Sequence, residues 1–149
     1  MNIALYPNDL LQVTCTELDI DNLSFDPKTR KEDMLTIVKE QQKRGIAITG
    51  LSANQIGYTE RFMLIENRLT NQNYDRQQMC INPRIVEQEE EEVEMFESSA
   101  SFPNVIVSIS RPAKIRVEFY NEFLKRRNEW FDGYTARFFQ HYLDLLNGV

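Results

Sequence analysis

Between Ala136 and Leu146, apolar side chains stand at positions 138, 139, 142, 143, 145 and 146. That spacing suits a helix, but it leaves the helix apolar over most of its surface, and a helix of that kind belongs in the middle of a domain. Asp132-Gly133 makes a turn ahead of it, and Thr135 stands where an N-cap is wanted. The remainder of the chain has to wrap this segment.

The wrapping material is mostly extended. Short apolar or alternating runs occur at 62–65, 79–86, 105–109 and 115–119, and Ile115-Arg116-Val117-Glu118-Phe119 alternates strictly, as a half-buried strand does. Pro83, Pro103 and Pro112 punctuate these runs and predict short strands with interruptions. Ahead of them, Asp26 can cap a helix that has Pro27 at its first position. Met34, Ile37 and Val38 recur at helical spacing and Gly45 marks the stop, which gives a first helix over 27–44. Helix, strands, helix is the order of an α+β domain, here with antiparallel strands packed around a buried C-terminal helix. The 149 residues, 42% hydrophobic and 27% charged, suffice for one domain over 1–149 whose core needs neither disulfides nor a structural metal.

Lys and Arg number 17 against 23 Asp and Glu, a net charge of −6, which argues against a nucleic-acid surface and makes DNA an unexpected partner. The basic cluster Lys125-Arg126-Arg127 is short, flanked by Glu122 and Glu129, and reads as a turn or a solvated strand end. The acidic run from Glu87 to Glu94 lacks the glycine and alternating spacing of a calcium loop and reads as a solvated loop or an edge strand. Cys15 and Cys80 stand in unrelated contexts, so they make neither a disulfide framework nor a paired-thiol metal site, and they suit a reducing cytosol. No run of 18 apolar residues occurs, and Met1 to Pro7 lacks a basic segment followed by an apolar one. The expected location is therefore cytoplasmic, without export or membrane insertion.

Three segments carry the chemistry: Gly50-Leu51-Ser52-Ala53-Asn54-Gln55-Ile56-Gly57, then Glu97-Ser98-Ser99-Ala100-Ser101-Phe102-Pro103, then Ala136-Arg137-Phe138-Phe139-Gln140-His141-Tyr142-Leu143-Asp144-Leu145-Leu146-Asn147-Gly148. In this order and at these separations they resemble the three signature motifs of the peptide deformylases, and the resemblance spans nearly the whole chain. The second is similar to the family's Glu-Gly-Cys-Leu-Ser and the third to Gln-His-Glu-x-Asp-His followed by Leu-Asn-Gly. The resemblance implies an enzyme that removes the formyl group from N-terminal formyl-methionine, using Fe²⁺ or Zn²⁺ held by the cysteine and both histidines. It also implies a glutamate that handles the proton beside the first histidine. The chain stops at Val149, directly after Asn147-Gly148, as short forms from viruses and phages do, and is expected to lack the C-terminal segment of many bacterial forms.

The carry-over fails where the metal would sit. Ser99 stands at the cysteine, Leu145 at the second histidine, Tyr142 at the glutamate, and Ser98 at the glycine before the cysteine, so of the implied ligands only His141 survives. A serine hydroxyl is a poor substitute for thiolate on a borderline-soft metal, leucine has no lone pair, and a phenol with an ordinary pKa of about 10 is a donor at neutral pH. Lowering the pKa of metal-bound water from about 15.7 to about 7 is worth about 12 kcal/mol. One retained oxyanion donor is worth about 3–4 kcal/mol. By resemblance, Gln55 and the backbone N–H of Ala100 would be the donors to a formyl oxygen, and they cannot make up that difference.

The expectation is therefore a pseudoenzyme with no cofactor, a peptide- or protein-binding module. Its remaining cleft lies around Gly50, Leu51, Gln55, Ala100, Phe102 and His141, and it binds peptide N-termini or an unidentified protein. Plainer roles stand beside this: His141 as a hydrogen-bonded core residue, Gln55 as a tie between loops, and Tyr142 and Leu145 as apolar filling of the vacated metal space. Ser98-Ser99 with His141 suggests a hydrolytic serine only weakly, since no acid in the motif is evidently placed to orient the histidine. Two further readings are a divergent active metallohydrolase, with Cys80, Asp144 and the acidic run as candidate replacement ligands, and a structural subunit of a larger assembly.

Overall fold

The computed structural model describes residues 3–5, 8–69, 76–99 and 101–149, and the side chains of these except 103 and 104. Its helices are α1 (Pro27–Lys43) and α2 (Gly133–Leu146), and its strands are β1 (Gly50–Ser52), β2 (Phe62–Glu66), β3 (Gln77–Gln88), β4 (Glu92–Ser99), β5 (Phe102–Pro112), β6 (Lys114–Tyr120) and β7 (Arg126–Asp132). Short 3₁₀ turns occupy Asp9–Gln12 and Ala53–Ile56. This is the expected α+β arrangement.

α1 begins where the sequence places it. The Asp26 side chain accepts from the Lys28 amide at 3.2 Å, Pro27 occupies the first turn, and Met34, Ile37 and Val38 are buried. The helix ends one residue earlier than expected because Arg44 is already its C-cap, after which Gly45 takes a left-handed φ of 78°.

The strands form an antiparallel five-stranded sheet, in the order β1-β2-β3-β6-β7, and a separate β4-β5 hairpin. β3 and β5 run longer than the proline-punctuated reading predicts. β3 tolerates Pro83, which has no N–H to donate, through a register shift between Ile81 and Arg84 with Asn82 at a φ of 52°. Of β4 and β7 the sequence marks only the starts: the acidic run, read as a solvated loop or an edge strand, leads into β4, and Lys125-Arg126-Arg127, read as a turn or a solvated strand end, opens β7.

α2 is the enclosed helix. Against the main sheet, Phe139 packs on Phe119 and Phe131, with ring centroids 6.4 and 5.8 Å away, and all three rings are at most 2% exposed. Full burial of each contributes about 1.5–3 kcal/mol. Thr135 is not the cap expected of it. Asp132 holds the N-cap position, while Thr135 lies inside the first turn and its hydroxyl accepts from the Arg68 amide at 2.9 Å. The opposite face of α2 holds the hairpin: Arg137 donates to the carbonyls of Val93 at 2.7 Å, Met95 at 3.1 Å and Ile109, and Gln140 donates to that of Pro112 at 3.0 Å. Arg137, His141 and Asp144 recur at helical spacing along this face.

Candidate functional site

Between the hairpin and α2 lies a cavity of about 350 Å³. Its walls are largely apolar, from Phe102, Val105, Val107, Ile109 and Leu145, with Ser99, His141 and a cluster of charges at one side. Strand alternation sets this composition: Glu97 pairs with Val107, Met95 with Ile109 and Val93 with Arg111, and these positions share the face turned toward α2.

Glu97 is the hub of the charges. Arg111 donates to both of its oxygens, Nε to Oε2 at 2.7 Å and Nη2 to Oε1 at 2.9 Å, and reaches Asp144 Oδ2 through Nη1 at 2.7 Å. Arg137 Nε lies 2.5 Å from Oε2 without hydrogen-bond alignment, and His141 Nδ1 is 2.9 Å from Oε1. Burial alone raises the Glu97 carboxyl, but hydrogen bonds from His141 and Arg111 and the Arg111 charge outweigh it and bring the pKa to about 2. An ionised carboxylate only accepts, so His141 Nδ1 carries the hydrogen of that contact. The other ring nitrogen, Nε2, is buried and has no hydrogen-bond partner among the described residues. An acid therefore does orient the histidine, contrary to the sequence reading. Glu97 lies inside the second quoted motif, but its role depends on contacts with α2, 44 residues away.

Ser99 Oγ accepts from the Ser101 amide at 3.3 Å and from Gln55 Nε2 at 3.4 Å. Among the described residues it makes no hydrogen bond to His141. Gln55 is 1% exposed and fully engaged: Oε1 accepts from the Ser52 amide at 2.9 Å and hydroxyl at 3.2 Å, and Nε2 also donates to Ser101 Oγ at 2.9 Å. In this structure it ties the turn at Ala53–Ile56 to the hairpin.

The residues expected to fill the metal space part company. Leu145 lines the cavity, whereas Tyr142 lies against β1, its Oη 3.3 Å from Thr49 Oγ1, its ring perpendicular to that of His141 at 4.8 Å, and its pKa pushed by burial up to about 12. Gly50 is what admits it: a Cβ there would stand 2.6 Å from the Tyr142 ring and 2.4 Å from the Leu64 carbonyl oxygen. Of the expected cleft residues, Phe102 and His141 line the cavity. Gly50, Leu51 and Gln55 do not, because β1 and the turn after it pack directly against β2 and α2. Ala100 lies outside the described residues.

The donors on hand do not fit a deformylase metal. His141 Nε2 offers one lone pair, Ser99 Oγ already receives two N–H groups, and Leu145 offers none. No group of three His, Cys, Asp or Glu side chains suited to a metal ion occurs among the described residues. Of the suggested replacements, Asp144 lines the cavity but is bound to Arg111, while Cys80 is fully buried on β3 beside Met63 of β2.

Comparison with known proteins agrees with the fold. The family model described as polypeptide deformylase matches residues 1–149. Peptide deformylase of Aquifex aeolicus is 30% identical over 148 residues, covering 99% of this chain and 83% of the relative. That of Thermotoga maritima is 36% identical over 100 residues, 67% of this chain and 57% of the relative. Among solved structures, a probable peptide deformylase from Synechococcus phage S-SSM7 superposes with a TM-score of 0.82 at 25% identity, covering all of this chain and 95% of that one. The Thermotoga maritima enzyme gives 0.80 at 28% identity, covering 99% and 92%. With the family model matching residues 1–149 and the fold shared, this chain belongs to the peptide deformylase family.

Proposed function

We propose that this chain is a metal-free member of its family that works as a peptide-binding module, holding an apolar peptide end in the cavity between the β4-β5 hairpin and α2. One observation carries the reading: where the family resemblance implies three metal ligands, this site offers, among the described residues, a single imidazole nitrogen without a hydrogen-bond partner, beside Ser99 and Leu145 and next to an apolar cavity of about 350 Å³. Such a wall of Val, Ile, Leu and Phe suits an aliphatic or thioether side chain. The partner is a peptide or protein terminus, and the module works as one domain over 1–149 in the cytosol. No helix among the described residues is long and apolar enough to cross a membrane.

A second reading, a divergent metal-dependent deformylase, draws on the Glu97–His141 contact, since a carboxylate that fixes one ring nitrogen is also what a metal-ligating histidine uses. Titration calorimetry with methionyl tripeptides, together with a formate-release assay on formyl-methionyl peptide, separates the two. Saturable one-to-one binding without formate release is the expected result. Turnover, or absence of binding by any methionyl peptide, would overturn the binding-module reading.

A further inference from the structure

Resting on the peptide-binding reading, we infer that the peptide is held as a third strand on the free edge of β5, antiparallel to it. The cavity then takes apolar side chains from alternate residues, i and i+2, while residue i+1 points away from it.

The first support is the state of that edge. β5 pairs with β4 alone, and among the described residues no backbone–backbone hydrogen bond leads out of the hairpin from 105–110. Edge strands are ordinarily kept from pairing by charged side chains, by proline or by shortness. The other edges follow that rule: β1 has three residues, β7 opens on Arg126-Arg127, and β4 carries Glu92, Glu94 and Glu97. In β5, residues 105–110 read Val-Ile-Val-Ser-Ile-Ser, with neither charge nor proline among them. This edge is open to a further strand, and strand addition is a common way to hold an extended peptide.

The second support is direction. Arg137 Nη2 donates to the carbonyl of Met95 at 3.1 Å and also to that of Ile109. Those two residues stand opposite each other in the hairpin, and a single nitrogen that reaches both oxygens places them in the space between the strands. Alternation then turns the N–H and C=O of Ile106, Ser108 and Ser110 toward the free edge. An antiparallel strand added there bonds to Ser108 through its residue i+1. Its residues i and i+2 stand opposite Val107 and Ile109, on the face turned toward α2, and their side chains enter the cavity that Val107 and Ile109 line.

The third support is shape. Val105, Val107 and Ile109 recur along the wall at every second residue, a run of about 13 Å at about 3.3 Å per residue. A volume of about 350 Å³ is within the range of pockets that enclose a whole small molecule, so one methionine side chain leaves room for a second apolar group. Val105 and Val107 are 47% and 45% exposed in the free protein, which leaves apolar surface for that second group to cover.

The test uses the intact protein and two tetrapeptides of one composition, Met-Ser-Leu-Ser and Met-Leu-Ser-Ser, titrated calorimetrically. The alternating isomer should bind at least tenfold more tightly. N-methylation at residue 2 of that isomer, whose N–H is directed at the Ser108 carbonyl, should weaken binding at least tenfold. N-methylation at residue 3, whose N–H faces away from β5, should weaken it less than about threefold. Equal affinity of the two isomers, or equal effects of the two methyl groups, would overturn this inference while leaving the peptide-binding reading intact, and no binding by any probe would overturn both. Ser108→Pro removes the N–H at the free edge without removing a bond to β4, and should weaken Met-Ser-Leu-Ser at least fivefold. Undiminished binding to the folded variant would place the peptide elsewhere and refute the role given to β5. A dimer in sedimentation velocity that Ser108→Pro dissociates would assign the edge to a second copy of the chain and likewise overturn the inference.

Discussion

Neutralising Glu97 should weaken the fold in a way that depends on pH. Its carboxyl sits at about 2 in place of the ordinary 4.5, its side chain is 6% exposed, and it faces Arg111, Arg137 and His141. A pKa lowered on folding contributes stability that is fully present above about 4.5 and is lost as pH falls toward 2. The gap of about 2.5 pH units corresponds to about 3 kcal/mol at neutral pH. Glu97→Gln keeps the shape and one acceptor but removes the charge, leaving Arg111 and Arg137 short of their anion. We expect a loss of about 3–5 kcal/mol at pH 7, the cost of breaking a buried pair from one side. For a chain of this size, that loss lowers Tm by about 6–20 °C. Urea unfolding followed by circular dichroism at pH 7, 5, 4 and 3 reads both quantities. The wild type should lose stability across the acid range more steeply than the variant, so that the two curves converge. Parallel curves, or a variant as stable as the wild type at pH 7, would refute the assignment of Glu97 as the hub that joins hairpin to helix.

Gly50→Ala should cost about 1–3 kcal/mol in chemical denaturation, since the added methyl meets the Leu64 carbonyl and the Tyr142 ring; a neutral result would contradict the packing of Tyr142 on β1. Leu145→His should cost about 1–3 kcal/mol, because a buried imidazole gains no partner to replace the apolar contacts. Ser99→Cys, Tyr142→Glu and Leu145→His combined should bind Zn²⁺ or Fe²⁺ at close to one per chain by elemental analysis, because they restore the ligands that the family resemblance implies. Failure to take up metal in a folded triple variant would mean that the backbone around the cavity has also departed from the family geometry.

The buried C-terminal helix was legible because its apolar residues leave no solvent face, and α1 because Asp26, Pro27 and Gly45 punctuate it. β4 was hidden because its outward positions include Glu92, Glu94 and Ser98, so the strand reads as a continuation of the acidic run. β7 was hidden because it is an edge strand in which only Phe131 is fully buried, and its backbone pairing with β6 makes no demand on Arg126, Arg127 or Asn128. Within the site, motif order singled out Ser99, His141 and Leu145, since each stands at a fixed offset from recognisable neighbours, and all three line the cavity. What the order could not convey was Glu97 meeting His141, Arg111 and Arg137, or Tyr142 turning toward Gly50. Those contacts depend on how the hairpin and β1 fall on α2, and no local pattern encodes that.

Metal content is read by elemental mass spectrometry of protein purified without chelator and then challenged with Fe²⁺, Ni²⁺ and Zn²⁺. A site with one free imidazole nitrogen, a serine already accepting two hydrogen bonds and a leucine should retain close to zero metal per chain after gel filtration. A ratio near one per chain would contradict the account and make the divergent deformylase the reading to pursue.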